Sequence, residues 1–300
     1  MTSETGAKAL SKFFQNLSSA IGDTWEQVLL DNAQRVSVPL VTQMFKQIGL
    51  NENTTTPFKL FDNGCGAGVV ASELQRRINP NVLQQSSILC GDFSQPVIGL
   101  VQKRIKDEKW VSTEATTIDA QKTNLPSSAF THTTMNIGFH VIPDSSAALD
   151  ESIRILSPGG TLAFTTWTQP LGWAPDVQRA FESFPFEAPF KAPAQTTAWG
   201  EWYDVNWIRK TLQAKGLESV KVEPCAFVQR VDSAEYFVRN FGMIVDFVMS
   251  SCWSEELRRE HPREEVEGLV KAYLEERYGG EGWDLLWVGI VASGKVPGGV

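Results

Sequence analysis

The chain has 300 residues, 42% hydrophobic and 21% charged, with a net charge of −8 and a pI near 5.1, which suits one large globular domain with a sizeable core. The acidic balance speaks against a duplex-binding surface, because that needs clustered Lys and Arg to displace counterions. No apolar leader opens "MTSETGAKALSKFF", charges such as Asp246 break the apolar stretches, and the four cysteines show neither a close pair nor metal-ligand spacing, so a soluble, cytoplasmic protein with reduced thiols and no metal is expected.

In chain order, residues 11–49 read as two or three helices, with Asp23 a cap-like start to "DTWEQVLLDNAQ", Pro39 suited to a first turn, and Gly49 ending the pattern. From residue 58, short β-branched or apolar runs alternate with amphipathic segments: "FKLFD", a helix over about 69–78, "SILCGD", a helix over about 95–107, "EATTID" and "THTTMNIG". That order implies a parallel sheet with right-handed crossovers. "SSAALDESIRILSPGGTLAFTTW" reads as a helix, a Pro-Gly-Gly stop and a strand. The segment 169–204, rich in Pro, Phe and Trp, looks like an insertion or lid. A helix over about 205–215, a strand in "VKVEPCAFVQ", helices from about 233 to 278 and a last strand in "WDLLWVGIVASGK" complete the chain.

The stretch "FDNGCGAG" ends a predicted strand and opens a predicted helix, where ligands sit in open α/β sheets. Glycines there allow unusual dihedral angles and let a ligand touch the main chain. The dinucleotide fingerprint fails because Val69 stands where its third glycine belongs, and the phosphate loop fails for want of Gly-Lys-Ser/Thr. What remains is Asp62 followed by alternating Gly64, Gly66 and Gly68.

This pattern resembles the first motif of class I methyltransferases that use S-adenosylmethionine. "SILCGDFSQPVIGLVQKR" resembles the family's second strand, in which Asp92 would accept from both ribose hydroxyls, with Phe93 following. "TTIDAQKTNLPSSAF" resembles the third motif, where Asp119 would accept from the adenine amino group and the Ala120 amide would bond a ring nitrogen. "ALDESIRILSPGGTLAFTTW" resembles the helix, turn and fifth strand. The resemblance spans residues 58–167 and implies a Rossmann-like, seven-stranded, mostly parallel sheet. It divides the chain into a helical cap (1–55), a cofactor-binding core (56–168), an aromatic lid (169–204) and a C-terminal part of the core with further cap helices (205–300). Cys65 and Asn136 join the expected cofactor contacts, and Trp25 would help close over them. One departure stands out: Phe130-Thr131 replaces the Phe-Asp that many relatives carry before the fourth strand.

Methyl transfer is an in-line displacement, so a protein chiefly aligns the partners and excludes water. His140, just after the fourth strand, is the best-placed titratable group for a general base, although a loop-ordering role competes. His132 reads as a buried structural residue and His261 as a solvated helix position. Trp167, Trp173, Trp199, Trp202, Tyr203 and, further on, Phe241 suit a pocket for an apolar acceptor, with core packing as the alternative. The layout is similar in outline to fungal enzymes of the gliotoxin thiol methyltransferase type. The expectation is methyl transfer to O, N or S of a small molecule by a monomer or homodimer, with no nucleic acid or membrane partner. A cofactor-binding cyclase, epimerase or pericyclase, a non-catalytic partner subunit and a macromolecule methyltransferase are the rivals.

Overall fold

A computed structural model describes residues 22, 24–192, 195 and 197–299, and for Met243 the main chain alone. Asp23, expected to cap the first helix, lies outside the described residues, as does the part of the helical region before residue 22. Helix α1 (Trp25–Asn32) runs through a π turn (Ala33–Ser37) into α2 (Val38–Ile48). The wider turn sits where Pro39 lacks the N–H that would reach the Arg35 carbonyl. Gly49, at φ 78°, ends α2 in the left-handed conformation.

Seven strands follow: β1 (Lys59–Asn63), β2 (Ser87–Asp92), β3 (Thr113–Thr117), β4 (Phe130–Asn136), β5 (Leu156–Trp167), β6 (Glu218–Val231) and β7 (Trp283–Lys295). They form one sheet in the order β3-β2-β1-β4-β5-β7-β6. The first five are parallel, and β7 is antiparallel to both neighbours. The connecting helices are α3 (Val69–Arg77), α4 (Pro80–Gln85), α5 (Gln95–Asp107), α6 (Ser145–Arg154), α7 (Ala174–Glu182), α8 (Val205–Ala214), α9 (Ala234–Cys252), α10 (Glu255–Glu260) and α11 (Arg263–Tyr278).

Alternation along the strands builds two layers of core. Leu60 and Ala163 face α2, α3 and α5, against Val41, Phe45, Leu74 and Val101. Leu162, Phe164 and Ile290 face α6 and α8, against Leu149, Ile208 and Leu212. Each such buried aliphatic or aromatic side chain contributes roughly 1.5–3 kcal/mol. A third cluster caps one end: α7, α9 and α11 pack on Trp167, Trp283, Leu285 and Trp287.

Two details differ from the sequence reading. The Ser-Pro-Gly-Gly run does not precede the fifth strand but lies within it, because α6 has already stopped at Arg154 and Ser157 Oγ donates to the Phe130 carbonyl at 3.1 Å. His261 is not a solvated helix position: it closes α10 with its ring stacked on Phe186, centroids 3.4 Å apart. The last two strands, β6 and β7, pair antiparallel with α9, α10 and α11 between them in the chain, as read from the sequence.

Candidate active site

The candidate site sits at the carboxyl ends of β1, β2 and β4. After Asn63 the loop of residues 64–68 turns back and starts α3, tied down by Cys65 N–H to the Gly91 carbonyl at 2.9 Å and Gly68 N–H to the Cys65 carbonyl at 2.9 Å. The three glycines serve different ends. Gly64 and Gly66 have φ of 68° and 51° and open space where a Cβ would stand, so a ligand can reach their main chain. Gly68, at φ 74°, is instead covered by Trp110, whose ring would lie 3.1 Å from an added Cβ. Its lack of a side chain serves packing between the loop and α5, where Arg104 spans the Trp110 ring at 4.7 Å and donates to the Ala67 carbonyl.

Two carboxyls support this loop. Asp62 is buried in mid-sheet; its Oδ1 accepts from Thr134 Oγ1 at 2.8 Å, while its Oδ2 is buried with no hydrogen-bond partner. Burial pushes its carboxyl from 3.8 up to about 7. Asp92 accepts from the Gly66 amide through Oδ2 and from the Ser94 amide through Oδ1, each at 3.0 Å. Burial raises the Asp92 pKa as well, and those amides oppose the rise. A carboxylate offers about four acceptor sites, so the two amides leave Asp92 capacity for a ligand.

The remaining expected cofactor residues lie at varied depth. Phe93 is 38% exposed beside Asp92. Asp119 is exposed, its Oδ1 accepting from the Gln121 amide at 2.8 Å, and Ala120 is partly buried after Ile118, whose N–H reaches the Asp92 carbonyl at 3.0 Å. Cys65 is buried in the loop. Trp25 begins α1, which a Glu26–Lys103 ion pair of 3.1 Å holds beside α5.

At the end of β4, Asn136 Oδ1 accepts from Thr165 Oγ1 at 2.6 Å. The next residue, Ile137, has φ 58°, an uncommon conformation for a β-branched side chain. It costs about 1–3 kcal/mol and is held by two bonds from its N–H, to the Thr165 carbonyl at 3.1 Å and Thr165 Oγ1 at 3.0 Å. This strained turn aims the segment that carries His140, and nothing in the sequence signals it. His140 keeps partial exposure; its Nδ1 lies 3.3 Å from Thr166 Oγ1, and burial lowers its pKa to about 4, as it does for His132. Both imidazoles are therefore neutral at pH 7. The departure at Thr131 falls at the amino-terminal end of β4, where its hydroxyl bonds the Lys59 main chain, on the opposite edge from the glycine loop.

The expected acceptor residues separate into two groups. Trp167, Trp173 and Phe241 share the end-cap cluster with Trp287. Trp202 is fully buried on the other side, stacked on Phe139 at 4.7 Å, with Trp199 5.7 Å away. Trp202 Nε1 donates to Ser145 Oγ at 3.0 Å, which also meets Thr197 Oγ1 at 2.9 Å. The Thr197 N–H reaches the His140 carbonyl at 3.3 Å, so this part of the lid braces the His140 turn from below. Tyr203 is partly buried just before α8. Among the described residues no group of three His, Cys, Asp or Glu could hold a metal ion, and no helix is long and apolar enough to cross a membrane.

A sheet of this order with a glycine loop after β1 defines a Rossmann-like methyltransferase core. Residues 61–164 match the family described as methyltransferase domain. The methyltransferase tpcH of Aspergillus fumigatus is 28% identical over 266 residues, 88% of this chain and 93% of that one. An acetylaranotin bis-thiomethyltransferase of Aspergillus terreus is 28% identical over 249 residues, covering 82% and 85%. Among solved structures, a Haemonchus contortus N-methyltransferase held with phosphomonomethylethanolamine and S-adenosylhomocysteine superposes with a TM-score of 0.53 at 12% identity, over 95% of this chain and 60% of that one, a likeness of fold. Residues 61–164 thus carry a methyltransferase domain, in a chain similar along most of its length to fungal methyltransferases.

Proposed function

We propose that the chain transfers a methyl group from S-adenosylmethionine to a heteroatom, O, N or S, of an apolar or aromatic small molecule. The observation that carries this reading is the Asp62 carboxyl, buried with one unpartnered oxygen beneath a loop whose Gly64 and Gly66 face open space. A buried acceptor without a donor fits a ligand that brings one. When bound, this cofactor supplies an electrophilic methyl on a sulfonium. Asp62 Oδ2 would take a hydrogen bond from the ammonium of its amino-acid end, alongside the main chain of Gly64, Cys65 and Gly66. Asp92 would accept from the ribose diol, Phe93 would offer an apolar face to the adenine, and Asp119 with Ala120 would bond its edge. Trp25 would cover the group and Asn136 would border the acceptor.

His140, lowered to about 4, is too weak a base to take a proton from an aliphatic alcohol. His140 therefore serves better as an uncharged lining of the site than as its base, and the likeness to a bis-thiomethyltransferase supports sulfur among the three atoms. The test is incubation with methyl-labelled cofactor and a panel of aromatic thiols, phenols and amines. Label in a thioether product supports the reading. A rearranged, unlabelled product would point instead to a cyclase, epimerase or pericyclase.

A further inference from the structure

The end cap contains buried polar groups that the cofactor crevice does not use. Beyond Gly289, where β5 ends, β7 pairs with β6 alone and forms a two-stranded ribbon. Its register places Gln229 between Trp283 and Trp287 on the inner face, since Phe227, Gln229 and Val231 stand opposite Trp287, Leu285 and Trp283. Helix α9 lies across that face, with Phe237 5.9 Å from Trp283 and Phe241 6.1 Å from Trp287.

Gln229 is 2% exposed, Asn240 1%, Trp283 5% and Tyr236 6%. Gln229 Oε1 accepts from Trp287 Nε1 at 2.9 Å, and Asn240 Nδ2 donates to the Tyr236 carbonyl at 3.0 Å. The second polar atom of each amide, Gln229 Nε2 and Asn240 Oδ1, has no partner, and neither do the Tyr236 hydroxyl and Trp283 Nε1. Asn32 Oδ1 is in the same state, although its Nδ2 donates to the Asn240 carbonyl at 2.9 Å. Tyr236 and Asn240 stand one turn apart on α9, and the Tyr236 hydroxyl neighbours the Gln229 amide. Unpartnered atoms of this kind are rare in packed interiors, and here donors and acceptors occur together. A recess of about 270 Å³ between α1, α9 and α11 borders Asn240 and is otherwise lined by Val28, Val238 and the charged Glu235, Arg239, Arg263 and Glu267. Aromatic rings connect the group to the sheet rim: Trp287 lies 4.9 Å from Trp167, the last residue of β5.

We propose that Gln229, Tyr236, Asn240 and Trp283 form the polar end of the acceptor site and hold an amide-like group, one that both donates and accepts hydrogen bonds, on a flat apolar acceptor. From β4 to β6 is three strand spacings, about 14 Å, so the acceptor is a fused or multi-ring molecule carrying its amide well away from the methylated atom. This rests on the methyltransferase reading only in naming the bound molecule an acceptor, and the test needs no turnover.

Benzamide and toluene serve as probes of the full chain, by ligand-observed NMR and by crystal soaking, with and without S-adenosylhomocysteine. Benzamide is expected to bind roughly tenfold tighter than toluene and to lie against Gln229 and Asn240. Gln229→Leu and Trp283→Phe should each remove that preference while leaving toluene binding and S-adenosylhomocysteine affinity within twofold. Trp283→Phe carries the test if Gln229→Leu does not fold. Equal or undetectable binding of the two probes, an unchanged preference in a folded variant, or crystals in which ordered waters fill the site and benzamide lies elsewhere would overturn the proposal. Failure of S-adenosylhomocysteine to bind would count against the methyltransferase reading alone.

Discussion

Replacing Asp62 with Asn separates the cost of burying this carboxyl from its use. An ordinary aspartate near 3.8 that titrates at about 7 in the fold favours the protonated folded state. As pH rises, the unfolded chain releases its proton from about pH 4 onward, while the folded chain holds it until about pH 7. Stability therefore falls across that window and levels off above it. A shift of about three units amounts to about 4 kcal/mol in total, of which about 2–3 kcal/mol falls between pH 5 and pH 8. Asp62→Asn does not titrate, so without cofactor its melting temperature relative to the native chain should rise by about 4 °C on going from pH 5 to pH 8, taking an unfolding entropy near 2 cal/mol/K per residue. Using the change between two pH values cancels any pH-independent effect of the amide. Differential scanning calorimetry of both proteins at each pH provides the measurement. An equal gap at pH 5 and pH 8 would refute the reasoning, since Asp62 would then ionise as freely in the fold as out of it. At pH 8, added S-adenosylmethionine should raise the native melting temperature more than that of the variant.

The two glycine substitutions should behave differently. Gly66→Ala meets open space but strains a φ of 51° at a cost of about 1–2 kcal/mol, and its main effect should be weaker cofactor binding by calorimetry. Gly68→Ala adds a clash with Trp110, 3.1 Å away, and should lower the melting temperature further than Gly66→Ala. NMR titration of His140 should give a pKa below 5, in keeping with a value near 4; a value near 6.5 would contradict its placement. Because unfolded histidine takes up a proton below about pH 6.5 and folded His140 resists until about pH 4, the same residue should contribute acid lability in that interval, and His140→Gln should reduce it. Trp202→Ala should cost about 3–5 kcal/mol in urea unfolding, because the ring is fully enclosed against Phe139 and Phe164.

Periodicity and turn chemistry made the sheet and its glycine loop readable, since strands buried on both faces and a Gly-rich turn leave local marks in composition. Depth was not readable. Asp62 and Asp119 look alike in sequence, yet one is sealed within β1 beside Thr134 and the other is exposed. The aromatic residues gave the same signal whether they pack under the Phe139 turn, as Trp202 does, or line the end cap, as Trp167 does. Which face a ring occupies depends on contacts far away in the chain, such as Trp202 with Ser145. The positive φ of Ile137 and the buried amides Gln229 and Asn240 carry no local signature at all, because their partners come from strands and helices folded back from elsewhere.

The central claim is that the rim above β1 and β2 binds S-adenosylmethionine. Calorimetric titration of the purified chain with S-adenosylmethionine and, separately, with NADH tests it most directly. The account predicts saturable one-to-one binding of S-adenosylmethionine, weakened by Asp92→Ala, and none of NADH. No heat with S-adenosylmethionine, or tighter binding of NADH, would contradict it.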